Sequence, residues 1–492
     1  MDDPRVSHAR ITIVRVRRAY KIVCVDAARF TGYESSVMPR FAARGLACAL
    51  LSVVAVCVAQ TPDSAISQFQ QIQQQLHDSH ARNDWQANLR YARSLRELLN
   101  AAPNSQLEVA RAELHLGETE AGLRDLAVFA HMGQTIDPAQ IFPSIASIPN
   151  QAALHNIQQT LEANSREISR GSTAFVLSDP RLLAEDIDYD SHTQTFFISS
   201  VRLGKIIAAD RHGASRDFAP APDGWPLLAL KVDARRRQLW ATEVALQGFG
   251  FARKGDWGRS ALVCYSLNGG KVLRRVEGPK GSALGDMLLT PLGEVIVSDG
   301  EGGGVYRLPA EGSALERVDA GDFISPQTAA LHPDGKHLFV PDYLRGIGVL
   351  DLTSRHVQWL PMKGRFALNG IDGLYAARKA LVAVQNGTAP ERVVIFTLND
   401  PLTEVTSEEI IERASPTLGD PTHGVIVGTT FYYIANSGWD VVDEHGELKP
   451  GARLSPARVM QVELREPLMT GVAARQMSFQ GPVINRKPSS SR

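Results

Sequence analysis

Pro326-Gln-Thr-Ala-Ala-Leu-His-Pro-Asp-Gly-Lys-His-Leu-Phe-Val-Pro-Asp-Tyr343, continued through Gly346-Ile-Gly-Val-Leu-Asp351, holds a short apolar run, a Pro-Asp-Gly turn, a second apolar run ending in aspartate, a glycine gap and a third apolar run. Short apolar runs joined by turn residues read as successive antiparallel strands. Related units lie on both sides, among them Glu185-Asp-Ile-Asp-Tyr-Asp190 with Phe196-Phe-Ile-Ser-Ser200, and Gly285-Asp-Met-Leu-Leu-Thr-Pro-Leu-Gly-Glu-Val-Ile-Val-Ser-Asp299. Six units can be placed, opening at Glu185, Leu228, Gly285, Gln327, Asp372 and His423. Between residues 173 and 466 they take about 49 residues each, the size of a four-stranded propeller blade. The expected fold is all-β, a six-bladed β-propeller, with Ala174-Phe-Val-Leu177 as the outer strand that completes the blade of His423 and closes the ring.

Residues 60–172 follow a different period. Ile66, Phe69, Ile72 and Leu76 fall three and four apart, and Leu89, Ala92, Leu95 and Leu99 repeat the pattern. Ala102-Pro-Asn-Ser105 stops that second helix and starts a third through Leu107, Ala110 and Leu114; Leu116-Gly117 separates it from a fourth over Glu120 to Met132. After Asp137-Pro and Phe142-Pro, a last helix is expected near Gln151 to Ile168, with Arg170-Gly-Ser172 as the linker. The paired helices resemble about one and a half tetratricopeptide repeats. So short a solenoid cannot cover its own faces, and it is expected to cap the following domain or to contact a protein partner.

The segment from Met38 has Arg40 and Arg44, a nearly unbroken apolar run from Gly45 to Ala59 ending Cys57-Val-Ala59, and then Gln60-Thr-Pro. Basic, apolar and small-residue regions in this order read as a secretory signal peptide, with the start at Met38 and residues 1–59 as leader. The expected location is secreted or periplasmic, or membrane-anchored where the leader stays uncleaved. Cleavage removes nine of 52 basic and four of 53 acidic residues, leaving 43 against 49 and a formal charge of -6. That balance offers no polycation for nucleic acid. Of the four cysteines only Cys264 lies beyond the leader, which excludes a disulfide framework or a cysteine metal cluster in the mature chain. Residues 467–492 read as a surface tail.

In a propeller the inner strands begin around the central channel, so the unit-opening residues should converge near its mouth. Glu185, Asp372 and the Gln327 amide are hard oxygen donors suited to a divalent cation, Ca2+ first, then Mg2+, Mn2+ or Zn2+. Such an ion would polarise an ester carbonyl or acidify a water, with Asp372 taking the proton and His423 acting as shuttle or ligand. Asp186 and Asp286 occupy the next position on the rim, Lys231 or Arg345 would hold an anionic group, and Trp439 would stack on a sugar or pack between blades. The alternative is that these groups hold no cation and only hydrogen-bond across a water-filled channel.

These residues carry a resemblance. Over 173–466 the chain resembles the secreted bacterial relatives of the gluconolactonase, regucalcin or senescence-marker family of six-bladed propellers. Glu185, in Glu-Asp-Ile, matches the family's first-blade glutamate, and Asp372, in Asp-Gly-Leu, its fifth-blade aspartate. Gly285-Asp286 stands where the family has Asn-Asp, and Gln327-Thr328 where it has Asn-Gly. The resemblance implies a divalent metal at Glu185, Gln327 and Asp372, with Asp372 also the base in hydrolysis of a lactone or sugar derivative. The second expectation is a non-catalytic propeller that binds a glycan, peptide or envelope partner. A quinone-type dehydrogenase would need a richer ring of cationic and histidine ligands.

Overall fold

The computed structural model describes residues 64–138, 148–443 and 445–464. The leader, Phe142-Pro143 and the 467–492 tail lie outside the described residues. Five α-helices open the described chain: α1 Ala65–Ala81, α2 Trp85–Leu98, α3 Pro103–His115, α4 Thr119–His131 and α5 Gln151–Asn164. Their starts follow from local chemistry. Asp84 and Asn150 accept the N–H groups of Ala87 and Ala153 at 3.0 and 3.1 Å, and Pro103 takes the first helical position, where no donor is needed. The expected stripes are buried: Leu76, Leu89, Ala92, Leu95 and Leu99 form one cluster with Val109, while Leu107 and Ala110 join Leu123, Leu126 and Phe129 in another. Among the described residues no helix is long and apolar enough to cross a membrane.

Six antiparallel sheets follow; four are built of strands consecutive in sequence, and the other two each add one strand from residues 168–176. Blade four contains the stretch that revealed the fold. Its strands are Ala330–Leu331, His337–Asp342, Gly346–Asp351 and Val357–Trp359, and its first turn places Gly335 at φ +70°, a conformation glycine adopts without a Cβ clash. Alternate residues of each blade point towards the two neighbouring blades, so the core is a set of apolar layers between blades. One such layer joins Phe339 and Ile347 of blade four to Leu374, Leu381, Val394 and Phe396 of blade five.

Closure occurs in the expected blade. Ser172–Val176 pairs with Arg458–Glu463 as the outer strand of blade six, with Thr173 opposite Met460 and Phe175 opposite Val459. The segment before it differs from the expected helix and linker: α5 ends at Asn164, and Ile168–Ser169 already pairs with Arg413 and Glu412 at the edge of blade five. An edge strand offers unpaired backbone groups, and these recruit residues that helical periodicity alone would assign to α5. Glu412 Oε1 accepts the Gly171 N–H at 2.8 Å and the Ser169 hydroxyl at 3.2 Å, so the chain is tied down as it crosses from blade five to blade six.

The helices dock on blades four and five at the end where the inner strands begin. Ala65 N–H donates to Gly321 O at 3.0 Å, Asn100 Nδ2 to Arg345 O at 3.0 Å, and Thr135 N–H to Ala389 O at 2.6 Å. Ile324, Tyr343 and Leu344 of blade four belong to the same apolar cluster as Leu89 and Ala92 of α2. The unpaired face expected of so few helices is thus covered by the propeller.

Phe175 is 4% exposed and packs 5.2 Å from Phe196, so it carries the closing strand into the core. Phe175→Ala is predicted to cost about 3–5 kcal/mol, read from chemical denaturation midpoints. A loss below about 1 kcal/mol would show that closure does not depend on this side chain.

Candidate functional site at the channel mouth

The inner strands of blades one, two, three and five share an irregularity at their heads. The pairing register shifts between Ala184 and Ile187, Leu227 and Leu230, Leu284 and Asp286, and Ile371 and Gly373. A bulge adds one residue and re-aims its side chain. Glu185, Leu228, Gly285 and Asp372 all lie within these steps, so the alignment made from the sequence coincides with the bulges. Backbone donors displaced from the ladder find hydroxyls instead: Asp186 N–H donates to Ser199 Oγ and Ala229 N–H to Thr242 Oγ1, both at 2.9 Å.

Ring closure brings blades one, five and six together at this point. One ligand atom each from Glu185, Asp372 and His423 lie within 4.8 Å of one another. His423 Nε2 is 2.6 Å from Asp286 Oδ1, and its Nδ1 is 3.0 Å from the Glu185 carbonyl. Both ring nitrogens therefore face acceptors, which suits a doubly protonated imidazolium. Burial pulls the imidazole pKa down, but Asp372, Asp186 and Asp286 outweigh it and push it up to about 10. Lys231 Nζ donates to Asp186 Oδ2 at 2.6 Å and Thr328 Oγ1 to Asp286 Oδ1 at 2.8 Å. Asp372 is oriented from outside the ring: Tyr343 OH donates to Asn386 Oδ1 at 3.0 Å, and Asn386 Nδ2 donates to Asp372 Oδ2 at 2.9 Å. Tyr343 also lies in the apolar cluster of α2, so the helices buttress the residue that holds Asp372.

The site is covered. Glu185 is 1% exposed, and Asp372 and His423 are 0%. Trp439 Nε1 donates to Glu185 Oε2, and its ring meets Phe249 at 5.3 Å within a cluster that includes Leu183, Val201, Leu228, Val244 and Leu246. Phe249 and Trp439 come from two long loops, one between Val244 and Ser260 of blade two and the other between Ile434 and Arg458 of blade six. Gly248, at φ +83°, permits their contact, because a Cβ there would stand 1.8 Å from His445 O.

Several sequence expectations are corrected by these positions. Of the two places expected for Trp439, packing between blades is the one observed, with its indole N–H on Glu185. Arg345 does not face the mouth: its guanidinium lies 4.3 Å over Trp359 in the outer strand of blade four and donates to Asp322 O. Lys231 is at the ring, but as the partner of Asp186. Gln327 turns its amide nitrogen to Ser325 Oγ at 3.1 Å, while its Oε1 is buried without a hydrogen-bond partner. Its neighbour Thr328 reaches Asp286. Asp286, beside Gly285, brings a third-blade carboxylate onto the His423 ring. Thr328, Asn386, Tyr343 and Asp188 were missed; Asp188 accepts the Val232 N–H at 2.7 Å, and desolvation pushes it up to about 6. Thr328 and Asp188 could have been found by testing the neighbouring register along each inner strand, whereas no periodicity marks Asn386. Cys264 is buried in blade two, where desolvation pushes its thiol up to about 12.

Glu185, Asp186, Asp286 and Asp372 place four carboxylates beside two cationic groups, Lys231 and His423. Buried carboxylates need hydrogen bonds, protons or a cation to offset their desolvation. The oxygen-rich donor set fits a hard divalent ion.

No family model matches the sequence, and no curated protein matches it. Solved structures align with part of the chain at low identity. A gluconolactonase from Xanthomonas campestris is 15% identical, with 61% of this chain and 92% of that one covered at a TM-score of 0.41. The PQQ-bound aldose sugar dehydrogenase from Streptomyces coelicolor is 14% identical, covering 61% and 96% at 0.40. A virginiamycin B lyase from Staphylococcus aureus is 16% identical, covering 54% and 80% at 0.38. The three named activities differ from one another.

Because the folded pKa of His423 lies above its ordinary 6.5, its contribution to stability is full below about 6.5 and is lost as pH rises through about 10. With metals chelated, the denaturation midpoint of the native protein is predicted to fall across this window relative to His423→Gln; parallel pH profiles would refute the buried imidazolium. Tyr343→Phe removes the donor to buried Asn386 and is predicted to cost about 1–3 kcal/mol in the same measurement. An unchanged midpoint would disprove the buttress.

Proposed function

We propose that the channel mouth binds a divalent cation, Ca2+ in first place, between Glu185 and Asp372, and that the protein hydrolyses a small ester-type substrate such as a lactone or sugar derivative. The observation that carries the reading is the convergence of one ligand atom each from Glu185, Asp372 and His423 within 4.8 Å. When bound, such an ion would polarise a carbonyl or acidify a water. The residues would divide the remaining work. Asp372, oriented by Asn386, accepts the proton of the attacking water. His423, poised between Asp286 and the Glu185 carbonyl, donates a proton to the leaving alkoxide. Lys231 holds Asp186 and with it the first-blade bulge that aims Glu185. Access from the mouth requires the Phe249 and Trp439 loops to part.

The same burial favours a second reading, in which the ion is structural and the propeller binds a glycan, peptide or envelope partner without catalysis. Exposure of 1% or less at Glu185, Asp372 and His423 supports it.

Metal analysis of the purified protein decides the first step. The native protein is expected to retain one dication, and Glu185→Ala and Asp372→Ala to lose it; equal content in all three would rule out the site. A proton-release assay over a panel of lactones then separates the two readings. Hydrolysis predicts turnover reduced by about 100-fold or more in Asp372→Asn. A metal-loaded protein with no turnover supports the structural ion.

A further inference from the structure

We propose a second metal site, for a zinc-like cation, on the first hairpin of blade four, formed by His332, Asp334 and His337. One ligand atom from each of the three lies within 4.8 Å of the others. His332 Nδ1 stands 3.0 Å from Asp334 Oδ1, and His337 Nδ1 stands 2.6 Å from Asp334 Oδ2. Bonds of about 2.0–2.2 Å to a tetrahedral ion place its ligands roughly 3.3 Å apart, so small rotations of these side chains suffice to admit one.

The hairpin prepares these groups. Asp334 Oδ1 accepts the N–H groups of Lys336 and His337 at 2.8 and 3.0 Å, which fixes the carboxylate at the centre of the turn. The His332 ring packs 5.0 Å from Phe339. On its far side, His337 Nε2 faces Asp351 Oδ2 at 3.8 Å, and Asp351 is itself held by the Thr353 and Ser354 N–H groups at 2.7 and 3.2 Å. A carboxylate in that position orients a metal-bound imidazole and strengthens it as a ligand. Side-chain exposures of 15% for His332, 36% for Asp334 and 33% for His337 leave the cluster reachable from solvent.

The chemistry differs from that of the channel. Two imidazoles and one carboxylate suit zinc, whereas the channel mouth is dominated by oxygen. The places differ too: His332–His337 joins the inner strand of blade four to the next strand, at the opposite end of the propeller from the strand heads. The inference is therefore independent of the channel reading. With three protein ligands, the ion would keep a position for water and cross-link the turn.

The test uses the full chain, stripped with chelator and kept in excess Ca2+. Zn2+ is titrated calorimetrically, and Co2+ is used as a spectroscopic probe of four-coordinate nitrogen and oxygen ligation. Expected are a Zn2+-binding event and Co2+ ligand-field bands that both survive Glu185→Ala and Asp372→Ala. His332→Ala and His337→Ala should each weaken Zn2+ binding by about 100-fold or more and remove the bands, and Asp351→Asn should weaken it by about 10-fold or more. Thermal melts verify that the exposed variants remain folded. No Zn2+ binding, or unchanged affinity and bands in the His332→Ala/His337→Ala double variant, would overturn the proposal.

Discussion

Pairing of Ser172–Val176 with Arg458–Glu463 is the constraint on which the rest of the molecule depends. Without it blade six has three strands and an open edge. The contacts that define the channel cross that seam: His423 of blade six reaches the Glu185 carbonyl of blade one, and Trp439 reaches its carboxylate. Closing so long a loop is entropically demanding, and the return comes from apolar layers completed only when the ring is shut. Phe175, Phe196 and Val459 meet in one of those layers. The strand at Ile168–Ser169 makes the closure a double attachment, since the same segment also holds the edge of blade five.

Closure has an electrostatic consequence. Bringing the inner-strand heads together collects Glu185, Asp186, Asp286 and Asp372 where water is excluded, and the chain offsets part of that charge with Lys231 and an imidazolium at His423. An ion that took His423 as a ligand would have to displace one of the ring protons that bond Asp286 and the Glu185 carbonyl. The two covering loops raise the strength of each of these interactions by excluding water. The helices act on the same place from the other side, through Tyr343 and Asn386 to Asp372.

Much of this was legible in residue patterns. The Pro-Asp-Gly turn and alternating runs identified the blades, and the change of period near residue 172 marked the passage from helices to strands. Glu185, Asp372 and His423 were found because they open equivalent units. Arg345 was misplaced for a specific reason: it follows the second strand of its blade, where a loop can turn a long side chain outwards onto Trp359 as easily as inwards. Gln327 and Thr328 show the same difficulty within a strand, since one step along the backbone reverses the direction of the side chain.

By itself the sequence determined the number of blades, the closing strand and the types of donor available, because hydrophobic period and turn chemistry are local properties of the chain. The tertiary structure alone decided which donors meet. Asp286 reaches His423, Thr328 reaches Asp286 beside Gln327, and Trp439 closes over Glu185. Those outcomes depend on bulges that re-aim side chains and on contacts between residues far apart in sequence, and neither is encoded in the spacing of any one segment.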